Sequence, residues 1–405
     1  MKKLAKWVLV ILSILLVGFA VRLFKPWDDL QSWRWYTLAL ESSRADLFTH
    51  WEVIQPHSQL LVSSRPRVYR RNTRALDQVT YEFEGQTYPL SHYLAKANVS
   101  GFMVLCDGEV RLEFYAKGLN AQSRNHIWSA TKSFTSTLIG MALYDGKIAS
   151  LDDPVEKYAL QFKGTAYGEA SIRHVMMMSS GIDYDHFEGS PDRNDMYWDI
   201  MQSGVDFDAW AAVLPRRVPA GTDFNYIATD TQVLSAVLRG AYNKSYIEIV
   251  QEKLWEPGGF GAAQWGLDAS GNPMGHCCLS LRLQDFANLG QLYLDDLVLD
   301  GQPTVSSDWF EMVANAQAPF QEPRVDKEGK LREGYSFQFW LPKNYDREFI
   351  ATGAFGQYLW IDRKRNFVVA QFSTGQAMFM TQGQSGASPR EREAVMRSMS
   401  QFAKP

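Results

Sequence analysis

The chain is most informative at residues 128–140, which read Trp128-Ser-Ala-Thr-Lys-Ser-Phe-Thr-Ser-Thr-Leu-Ile-Gly140. Apolar residues recur here on a helical period, and Asp145-Gly146 is a common C-terminal stop, so we predict a largely buried helix over Ser129–Tyr144. Within it, the spacing of three residues between Ser129 and Lys132 places a hydroxyl and an amine on one helix face, about a turn apart.

The elements on either side of this helix indicate the fold class. Two β-rich runs flank Asp107-Gly108, a dipeptide that suits a two-residue turn, so residues 101–115 are predicted as a β-hairpin. Four further helices are predicted downstream, at Ser171–Met178, Thr231–Tyr242, Ser245–Leu254 and Leu283–Leu294. Beyond Gly334 we predict three strands and a terminal helix: Tyr335–Leu341, Gln357–Ile361, Phe367–Phe372 and the helix from about Pro389. Strands bracket the helices, which predicts an antiparallel sheet domain split by a helical insertion.

Length and charge exclude several classes of protein. At about 150 residues per domain, 405 residues are enough for two to three folding units and a large core. The 41 basic and 45 acidic side chains leave a net charge of -4, so no overall positive field attracts nucleic acid. Three cysteines make no disulfide scaffold, and because Cys277 and Cys278 are neighbours, we expect that only Cys106 could bridge to either of them.

The N-terminus carries a targeting signal. Three lysines precede an unbroken apolar run: Lys2, Lys3 and Lys6, then Trp7–Val21. Residues 1–25 are therefore interpreted as a signal anchor, a transmembrane helix in a bacterial-type inner membrane with the remaining chain outside the cytoplasm, in the periplasm. The alternative is a signal peptide cleaved after Ala20, which would release a secreted protein. Residues 26–91 are interpreted as a spacer and lead-in whose function the sequence does not indicate.

The pair Ser129 and Lys132 suggests a nucleophile and its base. A serine hydroxyl is a weak nucleophile near neutral pH, and a lysine amine activates it only if burial and the positive end of the helix lower the lysine pKa. Backbone N–H groups at the same helix end suit a developing oxyanion. The spacing alone is a weak signal, because a chain of this composition contains about one such motif by chance.

Three blocks in order strengthen the interpretation: residues 128–140, Asp145-Gly-Lys-Ile-Ala-Ser-Leu-Asp-Asp-Pro154 and Ser179-Ser-Gly-Ile-Asp183. From about Val99 to Ser373 the chain resembles the serine β-lactamase-like hydrolases, and most closely the 6-aminohexanoate-dimer hydrolases and class C-type esterases. The resemblance implies an α/β fold of the α+β type, with an antiparallel sheet flanked by helices, a helical domain, and the active site between them. The hydrolase domain would span residues 92–405, with its sheet part at about 92–150 and 300–405 and its helical part at about 151–299.

The resemblance also assigns a tyrosine. Tyr226, just before a predicted helix, matches the family tyrosine that passes the serine proton to the leaving group, provided that local positive charge lowers its pKa from about 10. Family members usually carry Asn or Ser two residues later, to bind the substrate. Ala228 stands there in this chain, so that contact is missing or comes from elsewhere, with Asn225 as a candidate.

A glycine-containing strand supplies the third family element. In the Lys-Thr-Gly box of the family, Thr352 and Gly353 match while Ala351 replaces the lysine. By resemblance, the N–H groups of Ala354 and Ser129 would form the oxyanion hole. Because the missing lysine is a cation suited to a substrate carboxylate, its loss favours a neutral amide or ester.

These residues predict a serine hydrolase that cleaves a small, uncharged amide or ester through an acyl-enzyme. One alternative is a β-lactamase or penicillin-binding D,D-peptidase, if Arg193 or Arg282 restores the missing charge. Another is a catalytically idle ligand-binding or sensor domain. We expect no cofactor, no metal and no nucleic-acid partner, and the membrane as a partner through the N-terminal helix. His276-Cys277-Cys278 resembles a ligand cluster but is interpreted as a packed loop, because one metal ion seldom takes adjacent cysteines.

Overall fold

The computed structural model describes residues 41–184, 206–327, 329, 331–375 and 387–403. The predicted signal anchor at residues 1–25 and the position of Arg193 lie outside these residues. Within the described ranges, no helix combines the length and the apolar character that a membrane crossing requires.

The strands are short except around the predicted hairpin and near the C-terminus. In chain order they are β1 (His57–Leu60), β2 (Arg70–Arg71), β3 (Thr80–Phe83), β4 (Gln86–Pro89), β5 (Val99–Cys106), β6 (Glu109–Tyr115), β7 (Arg124–His126), β8 (Ala263–Gly266), β9 (Leu279–Arg282), β10 (Val298–Leu299), β11 (Gln302–Pro303), β12 (Arg324–Val325), β13 (Leu331–Arg332), β14 (Gly334–Tyr335), β15 (Trp340–Leu341), β16 (Glu348–Gly353), β17 (Gln357–Asp362) and β18 (Phe367–Ser373).

The α-helices occupy mainly the middle of the chain. They are α1 (Glu41–Thr49), α2 (Leu90–Lys96), α3 (Thr131–Tyr144), α4 (Ala166–Glu169), α5 (Ile172–Met176), α6 (Phe207–Ala212), α7 (Ala228–Tyr242), α8 (Tyr246–Val250), α9 (Leu283–Leu294), α10 (Asp308–Ala314) and α11 (Pro389–Ser398). A 3-10 turn, Trp128–Ala130, leads directly into α3.

The main sheet has eight strands in the order β14-β15-β16-β17-β18-β5-β6-β2. All neighbouring strands are antiparallel except β2 and β6, which are parallel. A second sheet of order β1-β8-β9-β7 lies within and before the part of the chain predicted to be helical. The α/β architecture with an antiparallel sheet is therefore confirmed. The insertion predicted to be helical also contains two strands, β8 and β9, which pair with each other and with the distant β1 and β7.

Several secondary-structure elements lie where short sequence motifs predict them. The hairpin of β5 and β6 turns at Asp107 and Gly108, both with positive φ (51° and 70°), as a two-residue turn requires. The predicted strand at Tyr335–Leu341 is wrong in detail: it forms two short strands around a turn at Gln338, whose φ is 62°. That turn is held by α3, since Ser133 Oγ donates to the Gln338 carbonyl at 2.8 Å.

The two faces of the main sheet are both covered. Along β5, Met103 and Leu105 belong to the larger core cluster, which also contains residues of α3, α7 and α9, while Phe102 and Val104 belong to a smaller cluster. This explains why β5 reads as a continuous apolar run. The lead-in also contributes to the larger cluster, for example through the fully buried Phe48.

Candidate active site

The turn that carries Ser129 joins β7 to α3. Trp128, the preceding residue, has a φ of 52°, a left-handed conformation that is rare for a bulky side chain. The turn is fixed on one side by a hydrogen bond from the Ile127 N–H to the Leu279 carbonyl at 3.0 Å, and on the other by packing against β16. Ser129 therefore stands at the N-terminal end of a buried helix, where backbone N–H groups carry partial positive charge.

Lys132 lies beside this hydroxyl. Its Nζ is 3.1 Å from Ser129 Oγ and donates to the His276 carbonyl at 2.8 Å. The side chain is 2% exposed, and burial lowers the lysine pKa from 10.5 to about 7. Lys132 Nζ donates to Ser129 Oγ in the structure. A pKa near 7 makes the neutral amine, which has a lone pair for the serine proton, available near neutral pH.

Tyr226 is the third predicted catalytic residue, and it lies beside Ser129 and Lys132. It precedes α7, its side chain is hydrogen-bonded to Ser129, and its ring centroid is 5.1 Å from Lys132 Nζ. The expectation that positive charge lowers its pKa is wrong, because burial raises the pKa of Tyr226 above its usual value and outweighs the contact with Ser129. The phenol therefore stays protonated near neutral pH, and of these two residues it is Lys132 that has the pKa of a base there.

Strand β16 packs against the turn that carries Ser129. A Cβ atom at Gly353 would lie 2.1 Å from the Ile127 carbonyl oxygen, so only glycine allows this approach to the Ser129 turn. Thr352 Oγ1 is buried and makes no hydrogen bond within the part of the chain that the structure describes. Ala351 is buried opposite Leu359 of β17, and Ala354 begins the turn that follows β16.

Asn225 and Arg282, which the sequence suggested for substrate binding, both form contacts with other parts of the chain. Asn225 Nδ2 donates to the Tyr184 carbonyl at 2.7 Å, so its amide nitrogen holds the chain at the edge of the site. The guanidinium of Arg282 makes a two-pronged ion pair with Asp285, at 2.7 and 3.0 Å. A cation paired in this way is a poor replacement for the lysine missing at Ala351.

Sequence reasoning missed Asp230, which lies in the first turn of α7, four residues after Tyr226 in the chain. This fully buried carboxylate accepts hydrogen bonds from Tyr167 Oη and Ser180 Oγ, both at 2.7 Å, and interacts electrostatically with Lys132. Burial raises its pKa from 3.8 to about 7. An acidic residue in the first turn of a helix is common, so the sequence alone gives no sign that this one is buried beside Lys132.

A disulfide lies directly after His276, whose carbonyl accepts the hydrogen bond from Lys132. Cys277 and Cys278 are bonded to each other, so the expectation that only Cys106 could bridge to either is wrong. Cys278 has a φ of 77°, outside ordinary helix or strand conformations. Cys106 is a buried thiol in β5. In the described ranges, no three potential metal ligands of the His, Cys, Asp or Glu type come together.

Comparisons with known proteins agree with this geometry. Residues 91–384 match the model of the Beta-lactamase family. A 6-aminohexanoate-dimer hydrolase from Paenarthrobacter ureafaciens is 27% identical over 297 residues, which cover 70% of this chain and 75% of that protein.

Solved structures share the fold. A Bacillus anthracis protein assigned as a 6-aminohexanoate-dimer hydrolase has a TM-score of 0.74 at 22% identity, covering 87% of this chain and 91% of its own. EstCE1, a hydrolase with promiscuous acyltransferase activity, has a TM-score of 0.59 at 14% identity, covering 76% and 96%. The family match spans most of the chain, and the chain therefore belongs to the Beta-lactamase family and is a serine β-lactamase-like hydrolase.

Proposed function

We propose that this hydrolase cleaves a small, uncharged ester or amide through an acyl-enzyme formed on Ser129. The observation that carries the proposal is the 3.1 Å distance between Lys132 Nζ and Ser129 Oγ, together with a lysine pKa of about 7. A base whose pKa lies near the working pH combines the correct protonation state with enough basicity to accept the serine proton.

The proposed reaction starts when Lys132 accepts the hydroxyl proton and Ser129 Oγ bonds to the substrate carbonyl carbon. The negative charge that develops on the carbonyl oxygen is stabilised by the N–H groups of Ser129 and Ala354. Tyr226, protonated and hydrogen-bonded to Ser129, donates a proton to the leaving oxygen or nitrogen and regains one from Lys132 as the carbon–heteroatom bond breaks. Water then attacks the carbonyl carbon of the acyl-enzyme. A proton from the water passes through the same groups to Ser129 Oγ as the ester bond to the serine breaks, and the acid is released.

An uncharged substrate is supported by the composition of the site wall. Ala351 brings no cation where relatives that bind a carboxylate have lysine, and Arg282 is engaged by Asp285. Next to Tyr226 lie two further aromatic side chains, Tyr335 and Trp340, with ring centroids 5.8 and 5.2 Å away. The relative named a 6-aminohexanoate-dimer hydrolase supports an amide as one candidate for the bond that is cleaved.

The proposal is tested by hydrolysis of a short-chain nitrophenyl ester. Ser129→Ala is expected to abolish turnover, and the matched control Ser136→Ala, two helical turns further along α3, is expected to retain it. Ser136 Oγ donates to the Phe337 carbonyl and has a structural role. Wild-type rates in Ser129→Ala would assign the reaction to another nucleophile, and an inactive, unreactive wild type would favour the ligand-binding alternative.

We also propose that residues 1–25 anchor the enzyme in a membrane, with the catalytic domain on the exported side. The lysines before the apolar run support this orientation. Full-length protein is expected to sediment with membranes and to resist extraction by high salt. Recovery of the unprocessed chain in the soluble fraction would refute the anchor, and a soluble chain beginning after Ala20 would favour cleavage.

A further inference from the structure

Two aromatic residues with left-handed backbone stand next to the two proposed oxyanion donors. Trp128, with a φ of 52°, precedes Ser129, and Phe355, with a φ of 64°, follows Ala354. Such a conformation is strained at a bulky residue and persists only where the surrounding structure enforces it. The orientation of the Ser129 and Ala354 N–H groups therefore depends on what holds these two side chains.

The side chain that packs against both of them comes from the lead-in. The ring centroid of Phe48, in α1, is 5.6 Å from that of Trp128 and 5.1 Å from that of Phe355. Trp128 and Phe355 are themselves 5.0 Å apart. All three rings are buried, so the phenyl group of Phe48 closes a three-membered aromatic cluster that joins the nucleophile turn to the end of β16.

A second lead-in residue supports the nucleophile turn. The indole of Trp51 lies 5.0 Å from Trp128 in an edge-to-face arrangement and stacks on His126 at 4.0 Å. Its Nε1 donates to Gln55 Oε1 at 3.0 Å, which fixes the orientation of the ring.

A third lead-in residue supports the other side. Arg44 lies over the Phe355 ring, with its guanidinium carbon 5.2 Å from the centroid. Its Nη1 donates to the carbonyls of Thr374 and Gly375, at 3.2 and 2.9 Å, and the Gly375 N–H donates to the Phe355 carbonyl. Arg44 is 4% exposed, so these are interior contacts.

We infer that residues 41–53 are a positioning element for the oxyanion hole, with Phe48 as its centre and Trp51 and Arg44 as its two supports. This rests on the proposed function, which assigns the oxyanion to the Ser129 and Ala354 N–H groups. The lead-in residues act on the reaction through Trp128 and Phe355. Loosening them misaligns donors whose contribution is greatest in the transition state, which lowers kcat more than it changes KM.

The test compares Phe48→Leu with Phe102→Leu. Both phenylalanines are fully buried, but Phe102 belongs to the core cluster on the opposite face of the main sheet. The measurements are kcat and KM for a neutral nitrophenyl ester, normalised to active sites titrated with a fluorophosphonate, the pH profile of kcat/KM, and the melting temperature. Arg44→Met is a second variant, since it removes the bonds to two carbonyls and keeps an apolar stem near Phe355.

Phe48→Leu is expected to lower kcat per active site at least tenfold, with KM changed less than twofold and the acidic limb of the pH profile still near 7. Arg44→Met is expected to lower kcat in the same pattern by a smaller factor. Phe102→Leu is expected to lose melting temperature and keep kcat. If Phe48→Leu fails to fold, Arg44→Met decides the question.

Two results distinguish a failure of the positioning role from a failure of the proposed function. A kcat in the deciding variant within twofold of that of Phe102→Leu, in an enzyme whose Ser129→Ala variant is inactive, would overturn the positioning role and leave the proposed function intact. An enzyme that turns over the ester equally well without Ser129 would overturn both, because there would be no Ser129 oxyanion to position.

Discussion

Replacing Lys132 with methionine is expected to stabilise the fold while removing the activity. Each pKa unit corresponds to about 1.4 kcal/mol, so a lysine pKa lowered from 10.5 to about 7 costs the folded state roughly 4 kcal/mol at pH 7, compared with a lysine that stays exposed. Methionine removes this cost but also the hydrogen-bonding contacts with Ser129 and His276, worth about 1 kcal/mol each. Asp230, whose pKa is about 7, can take up a proton when the cation is gone.

The net expectation for Lys132→Met is a gain of about 2 kcal/mol in the free energy of unfolding at pH 7. The sign follows from the depressed pKa: the cost of the buried lysine is fully present below about pH 7 and disappears as the pH rises toward 10.5, where the unfolded lysine is also neutral. Near pH 10 the cost falls below about 1 kcal/mol, and the variant is expected to be no more stable than wild type.

Urea denaturation at pH 7 and pH 10 measures this difference. Lys163→Met is the matched control, because Lys163 is exposed and its replacement is expected to change stability by less than about 0.5 kcal/mol at either pH. Ester hydrolysis by Lys132→Met is expected to fall at least about a hundredfold. A variant that is less stable than wild type at pH 7, or a gain that does not change with pH, would refute the buried neutral lysine.

Three further predictions follow from the site. Asp230→Asn removes a negative charge near Lys132 and lowers the lysine pKa, so the acidic limb of kcat/KM is expected to move below its wild-type position near pH 7; a limb that moves up would contradict this. Because Ala351 supplies no cation, catalytic efficiency is expected to be higher for a neutral nitrophenyl ester than for a chromogenic cephalosporin, which carries a carboxylate, and a cephalosporin turned over fastest would restore the β-lactamase alternative. Alkylation of denatured, unreduced protein is expected to modify Cys106 alone, whereas modification of all three cysteines would disprove the disulfide.

The parts of the fold that the sequence predicts well depend on neighbours along the chain. The turn at Asp107-Gly108 depends on the two residues themselves, and the helix predicted at Leu283–Leu294 has those bounds in the structure. The second sheet was missed because β8 and β9 are four residues long and are stabilised by β1 and β7, far away in the sequence. Short strands whose partners are distant carry no local signal that distinguishes them from loops.

The residues of the candidate site also differ in whether the local sequence indicates them. The three-residue spacing of Ser129 and Lys132 is a local feature, whereas Tyr226 was identified only through the family resemblance. The pKa direction of Tyr226 was predicted wrongly because it depends on burial by segments that meet only in the folded chain. The role of Phe48 was not readable for the same reason, since its partners Trp128 and Phe355 are 80 or more residues away.

Ser129 is the proposed nucleophile, and covalent labelling identifies which serine reacts. A fluorophosphonate is attacked by the serine oxygen, which forms an oxygen–phosphorus bond as fluoride leaves. Peptide mass spectrometry of the labelled wild-type enzyme is expected to find one adduct, on the peptide that contains Ser129, and none in Ser129→Ala. Labelling of a different serine, or equal labelling of Ser129→Ala, would contradict the proposed mechanism.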